Sequence, residues 1–233
     1  DMEHAESRIR EHLLNSKGEG LIKKDPGHYL KKLTLTEDYR RLKACGLVIE
    51  CTLENLDIKK SVYQKIESII PADAILTSNT SAIPISILQK QTIHPKRFLG
   101  LHWAEPSHTT RFLEIICGEL SDVKKGEYLY QIAHAWGKEP TLVRKDIRGF
   151  ISNRLMYAMY REAFYLVENG YASVEDVDRA CRNNAGYWMT LMGVFRWMDM
   201  TGVPAYHTVL KDLFPTLSNS TGVPELIDNI VKS

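Results

Sequence analysis

The hydrophobic patterning changes character near residue 147, and the change predicts an α/β doubly wound sheet followed by an all-helical domain. From Leu42 to Arg144, short β-rich apolar runs alternate with helical patterns. Continuous apolar strands joined by helices imply a sheet covered on both faces. After Gly149 the strand signals stop and helical periodicity takes over. The expected domains are therefore 1–147 and 148–233.

The elements follow in order. The first helical pattern contains Ala5–Leu14, and the strand runs are Gly46–Cys51, Ala74–Thr77, Phe98–Trp103, the run around Glu114, and Thr141–Val143. Between the first two strands, DIKKSVYQKIESII sets Ile58, Val62, Ile66 and Ile69/Ile70 on one helical face. The Phe98 and Glu114 runs are expected to pair antiparallel across the turn-prone Glu105–Thr110 stretch. GFISNRLMYAMYREAFYLVENG reads as one long helix, apolar on most sides and closed by Asn169-Gly170. Ser173 then caps SVEDVDRACRNN, with Asp176 as an acidic version of the capping-box partner. Three more helices are expected, at Leu191–Met200, Ala205–Phe214 and Pro224–Val231. The sequence shows no internal repeat and no low-complexity tract.

Composition excludes several function classes. With 30 basic against 29 acidic residues, no global field recruits nucleic acid or an anionic membrane. No apolar run reaches the roughly eighteen residues a membrane span needs. The start is charged and amphipathic rather than patterned like a signal peptide. Cys45, Cys51, Cys117 and Cys181 fit no metal or CxxC spacing and read as reduced core thiols of a cytosolic (cytoplasmic) protein. The histidines show no paired metal spacing, so no metal site is expected and a His/Glu metal hydrolase is disfavoured.

Chemistry concentrates in two neighbouring apolar runs, RFLGLHWAEP and RFLEIICG, where His102 and Glu114 stand twelve residues apart. A carboxylate inside Phe112–Ile116 costs several kcal/mol to bury unless it is paired or protonated. A strand-turn-strand path delivers His102 as the partner. Such a pair is either a satisfied buried ion pair or an acid/base device. Polar residues at neighbouring positions allow bland readings too. Asn153 could serve a local cap at the start of the long helix. Asn79 and Ser81 could form a simple turn after the second strand, although strand ends of this kind are also where doubly wound folds bind ligands. Glu54 and Lys59 read as a helix-start acid and a surface lysine.

Seven stretches, in order, are VIECTLENLDIKK, LTSNTS, GLHWAEP, FLEIICG, WGKEP, GFISNRL and ENGYASVEDVDRACRNNAG. Together they resemble the 3-hydroxyacyl-CoA dehydrogenase family, including lambda-crystallin-type and carnitine-type 3-hydroxyacid dehydrogenases, over essentially the whole chain. The resemblance implies a Rossmann-type domain, NAD as cofactor, a small 3-hydroxyacyl-CoA or 3-hydroxy-acid substrate of the kind met in fatty acid metabolism, and a helical domain that makes a homodimer. It also implies that His102 is the acid/base and Glu114 its orienting partner. Ser81 and Asn153 would face the substrate oxygen, and Glu54, Lys59 and Asn79 the cofactor. The family opens with a strand, a GxGxxG turn and a helix, and none occurs here; the nucleotide-binding unit is N-terminally incomplete, and further sequence ahead of Asp1 is expected. The acid that reads the cofactor ribose belongs at or before Asp1. Two departures bear on substrate. HWAEP stands where the family has HFFNP or HPFNP, which puts Glu105 near the site, with Arg111 or His108 as expected neutralising partners. YWMTLMGVF replaces YPMGPF. Both point to a shorter or cationic 3-hydroxy compound. The competing class is a non-catalytic, crystallin-like oligomeric homologue.

Overall fold

The computed structural model describes residues 2–232, so Asp1, where the ribose-reading acid is expected, lies outside the described residues. The chain divides into two compact units, Asp1–Phe150 and Ile151–Ser233.

The first unit is built on a five-stranded sheet in the order β1 (Leu47–Glu50), β2 (Ile75–Ser78), β3 (Phe98–Trp103), β4 (Phe112–Cys117) and β5 (Glu139–Val143). Strands β1, β2 and β3 run parallel, β4 is antiparallel to β3, and β5 is parallel to β4. Its helices are α1 (Met2–Gly18), α2 (Pro26–Leu30), α3 (Leu56–Ile66), α4 (Ile85–Gln89) and α5 (Val123–Ala135).

Two apolar layers sandwich the sheet, as continuous apolar strands require. On one face Tyr63 and Ile66 of α3 and Ile85 and Leu88 of α4 pack with Phe98, Ile116 and Phe150. On the other, Leu129 and Ala133 of α5 pack with Leu99, Leu101, Leu113, Ile115 and Cys117. Residues two apart share a face, so His102 and Glu114 belong to the layer of Phe98, Gly100 and Ile116. That assignment decides what surrounds them.

The stripe expected on α3 holds in part: Ile66 and Ile70, the latter past the helix end, are buried and Val62 packs against them, but Lys59 and Tyr63 are buried as well and Ile58 is 38% exposed. The polar ends of β1 and β2 lie beneath this helix and draw a lysine and a tyrosine inward where aliphatic periodicity favours Ile58. Asn55 caps α3, its side chain accepting the N–H groups of Asp57 and Ile58.

The second unit contains α6 (Ser152–Glu168), α7 (Val174–Asn183), α8 (Ala185–Met189), α9 (Val194–Thr201), α10 (Val203–Leu213) and α11 (Glu225–Lys232). The long helix ends at Asn169, with Gly170 at φ 71° supplying the left-handed stop. Ser173 caps α7 by accepting the Asp176 N–H at 3.1 Å. The Asp176 carboxylate takes the Ser173 hydroxyl at 2.9 Å, so the expected acidic capping box closes through side chains. The expected helices at Leu191 and Ala205 start later and earlier respectively, and α8 had no separate signal in the sequence. Leu155, Tyr157, Met159 and Tyr160 of α6 remain exposed.

Gly100 shows how closely α4 sits on β3: a Cβ there would lie 2.8 Å from Ile85 Cδ1 and 2.9 Å from Ile116 Cδ1, both fully buried side chains. Gly100→Ala should therefore destabilise the protein by about 1–3 kcal/mol. Urea unfolding followed by far-UV circular dichroism would register this as a lower midpoint at unchanged slope.

Candidate active site

The antiparallel register places His102 directly opposite Glu114. Nδ1 of the imidazole lies 3.0 Å from Glu114 Oε2, with His102 7% and Glu114 1% exposed. Facing an ionised carboxylate, which only accepts, Nδ1 would be the donor of this contact and Nε2 the ring's other site for a partner. Aromatic rings enclose the imidazole. Phe112 meets it edge-on at 5.6 Å between centroids, and Phe150 lies at 5.5 Å and 58°. Phe150 takes φ 52°, a left-handed conformation that a bulky side chain rarely adopts, and is 1% exposed. Its buried ring holds the backbone in that state.

A second polar cluster forms at the carboxyl ends of β1 and β2. Glu50, the last residue of β1, accepts the Thr52 N–H at 2.5 Å, the Thr52 hydroxyl at 2.7 Å, the Ser78 hydroxyl at 2.7 Å, the Tyr63 hydroxyl at 3.0 Å and the Lys59 ammonium at 3.0 Å. Burial pushes the Glu50 carboxyl up, but the bonds from Thr52, Ser78 and Lys59 together hold it below the ordinary value. Burial, reinforced by Glu50, drives the Tyr63 phenol far above its usual range, so it stays a neutral donor. Lys59 is 1% exposed and also reaches the Thr52 carbonyl at 3.2 Å and Glu54 Oε2 at 3.4 Å.

Glu54 joins this cluster to the turn after β2. Its Oε1 accepts the Thr80 hydroxyl and the N–H groups of Ser81, Ala82 and Ile83, the last three at 3.2, 2.9 and 3.3 Å. Burial raises the Glu54 carboxyl, yet the Thr80 and Ala82 bonds and the Lys59 charge leave it lowered. Asn79 Oδ1 accepts the Trp103 N–H at 3.0 Å, tying the end of β2 to the end of β3 beside His102.

Six of the seven residues singled out in the sequence thus lie in the sheet unit, at or near the end of the sheet formed by the carboxyl termini of β1, β2 and β3. His102 and Glu114 touch; Glu54 and Lys59 touch; Glu54 holds the backbone of Ser81. Asn153 lies in the helical unit as the second residue of α6. Lys59 is not the surface lysine its spacing suggests. Nor do the expected partners reach Glu105: the Arg111 guanidinium pairs with Glu139, and the His108 ring faces His12 at 5.6 Å. Sequence reading missed Glu50, Thr80, Tyr63 and Phe150. A signal for Glu50 existed, since GLVIEC carries a carboxylate in an apolar strand exactly as FLEII does.

A doubly wound sheet with a buried histidine–carboxylate pair near the carboxyl ends of its parallel strands is the class of protein defined so far. Comparison with known proteins makes this specific. Residues 1–147 match the family described as 3-hydroxyacyl-CoA dehydrogenase, NAD binding domain, and residues 149–233 match 3-hydroxyacyl-CoA dehydrogenase, C-terminal domain. The chain belongs to the 3-hydroxyacyl-CoA dehydrogenase family, and its first unit has that family's Rossmann fold. It is 37% identical over 78% of its length to 5-formyl-3-hydroxy-2-methylpyridine 4-carboxylate 5-dehydrogenase of Mesorhizobium japonicum, covering 59% of that protein. It is 34% identical over 73% of its length to the human mitochondrial hydroxyacyl-coenzyme A dehydrogenase, covering 53% of it. Among solved structures, one of 5-formyl-3-hydroxy-2-methylpyridine 4-carboxylic acid 5-dehydrogenase, described as an NAD+ dependent dismutase, superposes with a TM-score of 0.81 at 35% identity, covering 84% of this chain and 64% of that one. The 3-hydroxybutyryl-CoA dehydrogenase of Escherichia coli gives 0.74 at 30% identity, covering 79% and 39%. The chain thus spans little more than half the length of these two curated relatives.

The Glu50 cluster yields a test of its own. Glu50→Gln strands part of the Lys59 charge, and with Glu54 still present the loss of stability should be about 3 kcal/mol. The folded Glu50 value lies below the unfolded one. Its contribution is therefore complete above about pH 4.3 and disappears as pH falls through the folded value. Unfolding measured from pH 7 to pH 3 should show a shallower acid-side decline in the variant than in the wild type.

Proposed function

We propose that this protein is an NAD-dependent oxidoreductase that converts a 3-hydroxyacyl-CoA, or a related 3-hydroxy acid, to the 3-oxo compound. The observation that carries this reading is the His102–Glu114 pair, 3.0 Å apart at the end of the sheet where doubly wound folds bind ligands. Nε2 of His102 takes the proton of the substrate hydroxyl, and the Glu114 carboxylate stabilises the imidazolium that forms. In reduction the same imidazolium returns the proton to the developing alkoxide. The Phe112 and Phe150 rings keep water from the pair and fix the plane of the imidazole. Following the family resemblance, the Ser81 hydroxyl and the Asn153 amide hold the substrate oxygen, and Asn79, Glu54 and Lys59 border the cofactor.

The residues present fit NAD: an apolar Leu53, 73% exposed, follows β1, and the polar Asn79–Ser81 turn follows β2, both at the strand ends where such folds bind nucleotides. When bound, NAD supplies the hydride acceptor. Exposed apolar residues on α6 support a homodimer built through the helical unit. The four cysteines are free, which supports a cytosolic location, although only Cys117 is the buried core thiol expected and Cys51 is exposed at the end of β1.

For the substrate, two observations favour a compact 3-hydroxy compound over a long acyl-CoA. Glu105 is exposed, with Arg111 committed to Glu139, and a relative at 37% identity is named for a pyridine carboxylate. A substrate screen on the intact gene product, followed by NADH absorbance, should include 3-hydroxybutyryl-CoA, free 3-hydroxybutyrate and a cationic 3-hydroxy acid. Turnover of a free acid with poor use of the thioester is expected. Efficient oxidation of 3-hydroxybutyryl-CoA would reverse the substrate preference. No turnover together with no NADH binding would favour the crystallin-like alternative. With the best substrate, His102→Gln should lower kcat by about 10²–10⁴-fold while NADH fluorescence titration gives an unchanged Kd; normal turnover in the variant would remove His102 from the chemistry.

A further inference from the structure

We infer that Lys138 is a positioning residue for substrate selection: its buried ammonium holds the loop that follows His102, and with it Glu105, in place. The inference rests on the reading of Glu105 as a determinant of the substrate.

Residues 104–111 join β3 to β4. Strand pairing does not fix a connection of this length as it fixes a tight hairpin turn, so the loop needs ties of its own. Some are local. The Thr109 and Thr110 N–H groups reach the Pro106 carbonyl at 3.1 and 3.2 Å, and the Thr110 hydroxyl reaches the Ala104 carbonyl at 3.3 Å. Lys138 ties the loop to the body of the unit. Its Nζ donates to the carbonyls of Ser107 and Thr110 and lies 5.2 Å from the centroid of the Trp103 ring. That ring stacks in turn on Trp136, at 6.0 Å and 26°. The ammonium, on a residue only 7% exposed, is thus met by backbone carbonyls and an aromatic face, groups that carry no formal charge.

Lys138 is itself held firmly. It stands between α5 and β5, with its N–H bonded to the Ala133 carbonyl at 3.2 Å, and the next residue, Glu139, pairs with Phe112 in the β4–β5 register. Hydrogen bonds from a charged donor are roughly twice as strong as neutral ones, and the Trp103 face adds a cation–π contact. Without the ammonium, two loop carbonyls lose their partner. Adjacent strand residues face opposite ways, and Trp103 packs against the α5 layer. Lys138 therefore grips the loop from the side of the sheet opposite to His102 and Glu114. The clamp and the proton-transfer pair are separable for that reason. Loosening the loop displaces Glu105, which is exposed on it, and leaves the His102–Glu114 contact in place. The choice of alcohol changes, while the removal of its proton does not.

The test uses the intact protein and two probes that differ in charge, 3-hydroxybutyrate and the cationic 4-amino-3-hydroxybutyrate. Hydrogen exchange of the 104–111 amides reads the clamp. The ratio of kcat/KM for the cationic probe over the other reads selection. Lys138→Met should speed exchange across 104–111 by about tenfold and leave β3 and β4 protected as in the wild type. The ratio should fall about fivefold in Glu105→Gln and by a similar factor in Lys138→Met, the size of one exposed charge interaction. In both variants the change should lie in KM, with kcat for 3-hydroxybutyrate within about twofold of wild type. The double variant should fall no further than Glu105→Gln alone, because both act through one carboxylate. Lys138→Arg, which keeps the charge in a different shape, should shift both readouts less, and it carries the test if Lys138→Met shows no folded thermal transition. Unchanged exchange in Lys138→Met would overturn the clamp. Faster exchange with an unchanged ratio would make Lys138 a structural residue only. An unchanged ratio in Glu105→Gln, or no turnover of either free acid, would overturn the reading of Glu105 and the selection with it, while the exchange result still decides the clamp.

Discussion

A carboxylate buried inside a β-strand constrains everything near it. Glu114 is 1% exposed in the middle of an apolar layer, where an unpaired charge would cost more than most single interactions return. The antiparallel register of β3 and β4 meets this constraint by setting an imidazole directly across from it. On its other side, the parallel β5 register sets Thr141 opposite Glu114, a hydroxyl that can donate but cannot supply a charge. The one antiparallel pairing in the described sheet is therefore also the one that carries the candidate chemistry.

Two buried carboxylates stand in strand positions of this unit, and they are satisfied in opposite ways. Glu50 is surrounded by Thr52, Ser78, Tyr63 and Lys59, each of which donates a hydrogen bond to it. It is locked, and serves as a foundation. Glu114 is matched to a histidine, whose second nitrogen can exchange a proton with a ligand. The same problem of desolvation gives a buried anchor in β1 and a histidine-paired carboxylate in β4, three strands away. Between them, Asn79 ties the ends of β2 and β3 through the Trp103 N–H, so the two clusters share one scaffold.

Much of this was legible in the sequence because it depends on local pattern. The extent of β3, the antiparallel partner of β3, the Gly170 stop and the Ser173 cap all follow from runs and turn residues within a few positions of one another. The His102–Glu114 contact follows from a short turn plus strand parity. What was not legible depends on contacts distant in sequence. Lys59 reads as solvated until Glu50, nine residues earlier, and the Ser78 strand end are brought beneath α3. Glu54 reads as a helix-start acid until the 80–83 turn folds over it. Phe150 carries no pattern signal for a left-handed backbone; only its burial against His102 explains that conformation. The pairing of Arg111 with Glu139 likewise required the β4–β5 register.

A double-mutant cycle on His102 and Glu114, read by the single-turnover rate of NADH formation, measures most directly whether the pair acts as one proton-transfer unit. If Glu114 works only through the imidazole, adding Glu114→Gln to His102→Gln should slow the step little beyond His102→Gln alone. Independent, multiplicative losses would mean that the two side chains do not act together, and the pair would be a structural contact rather than the acid/base of the reaction.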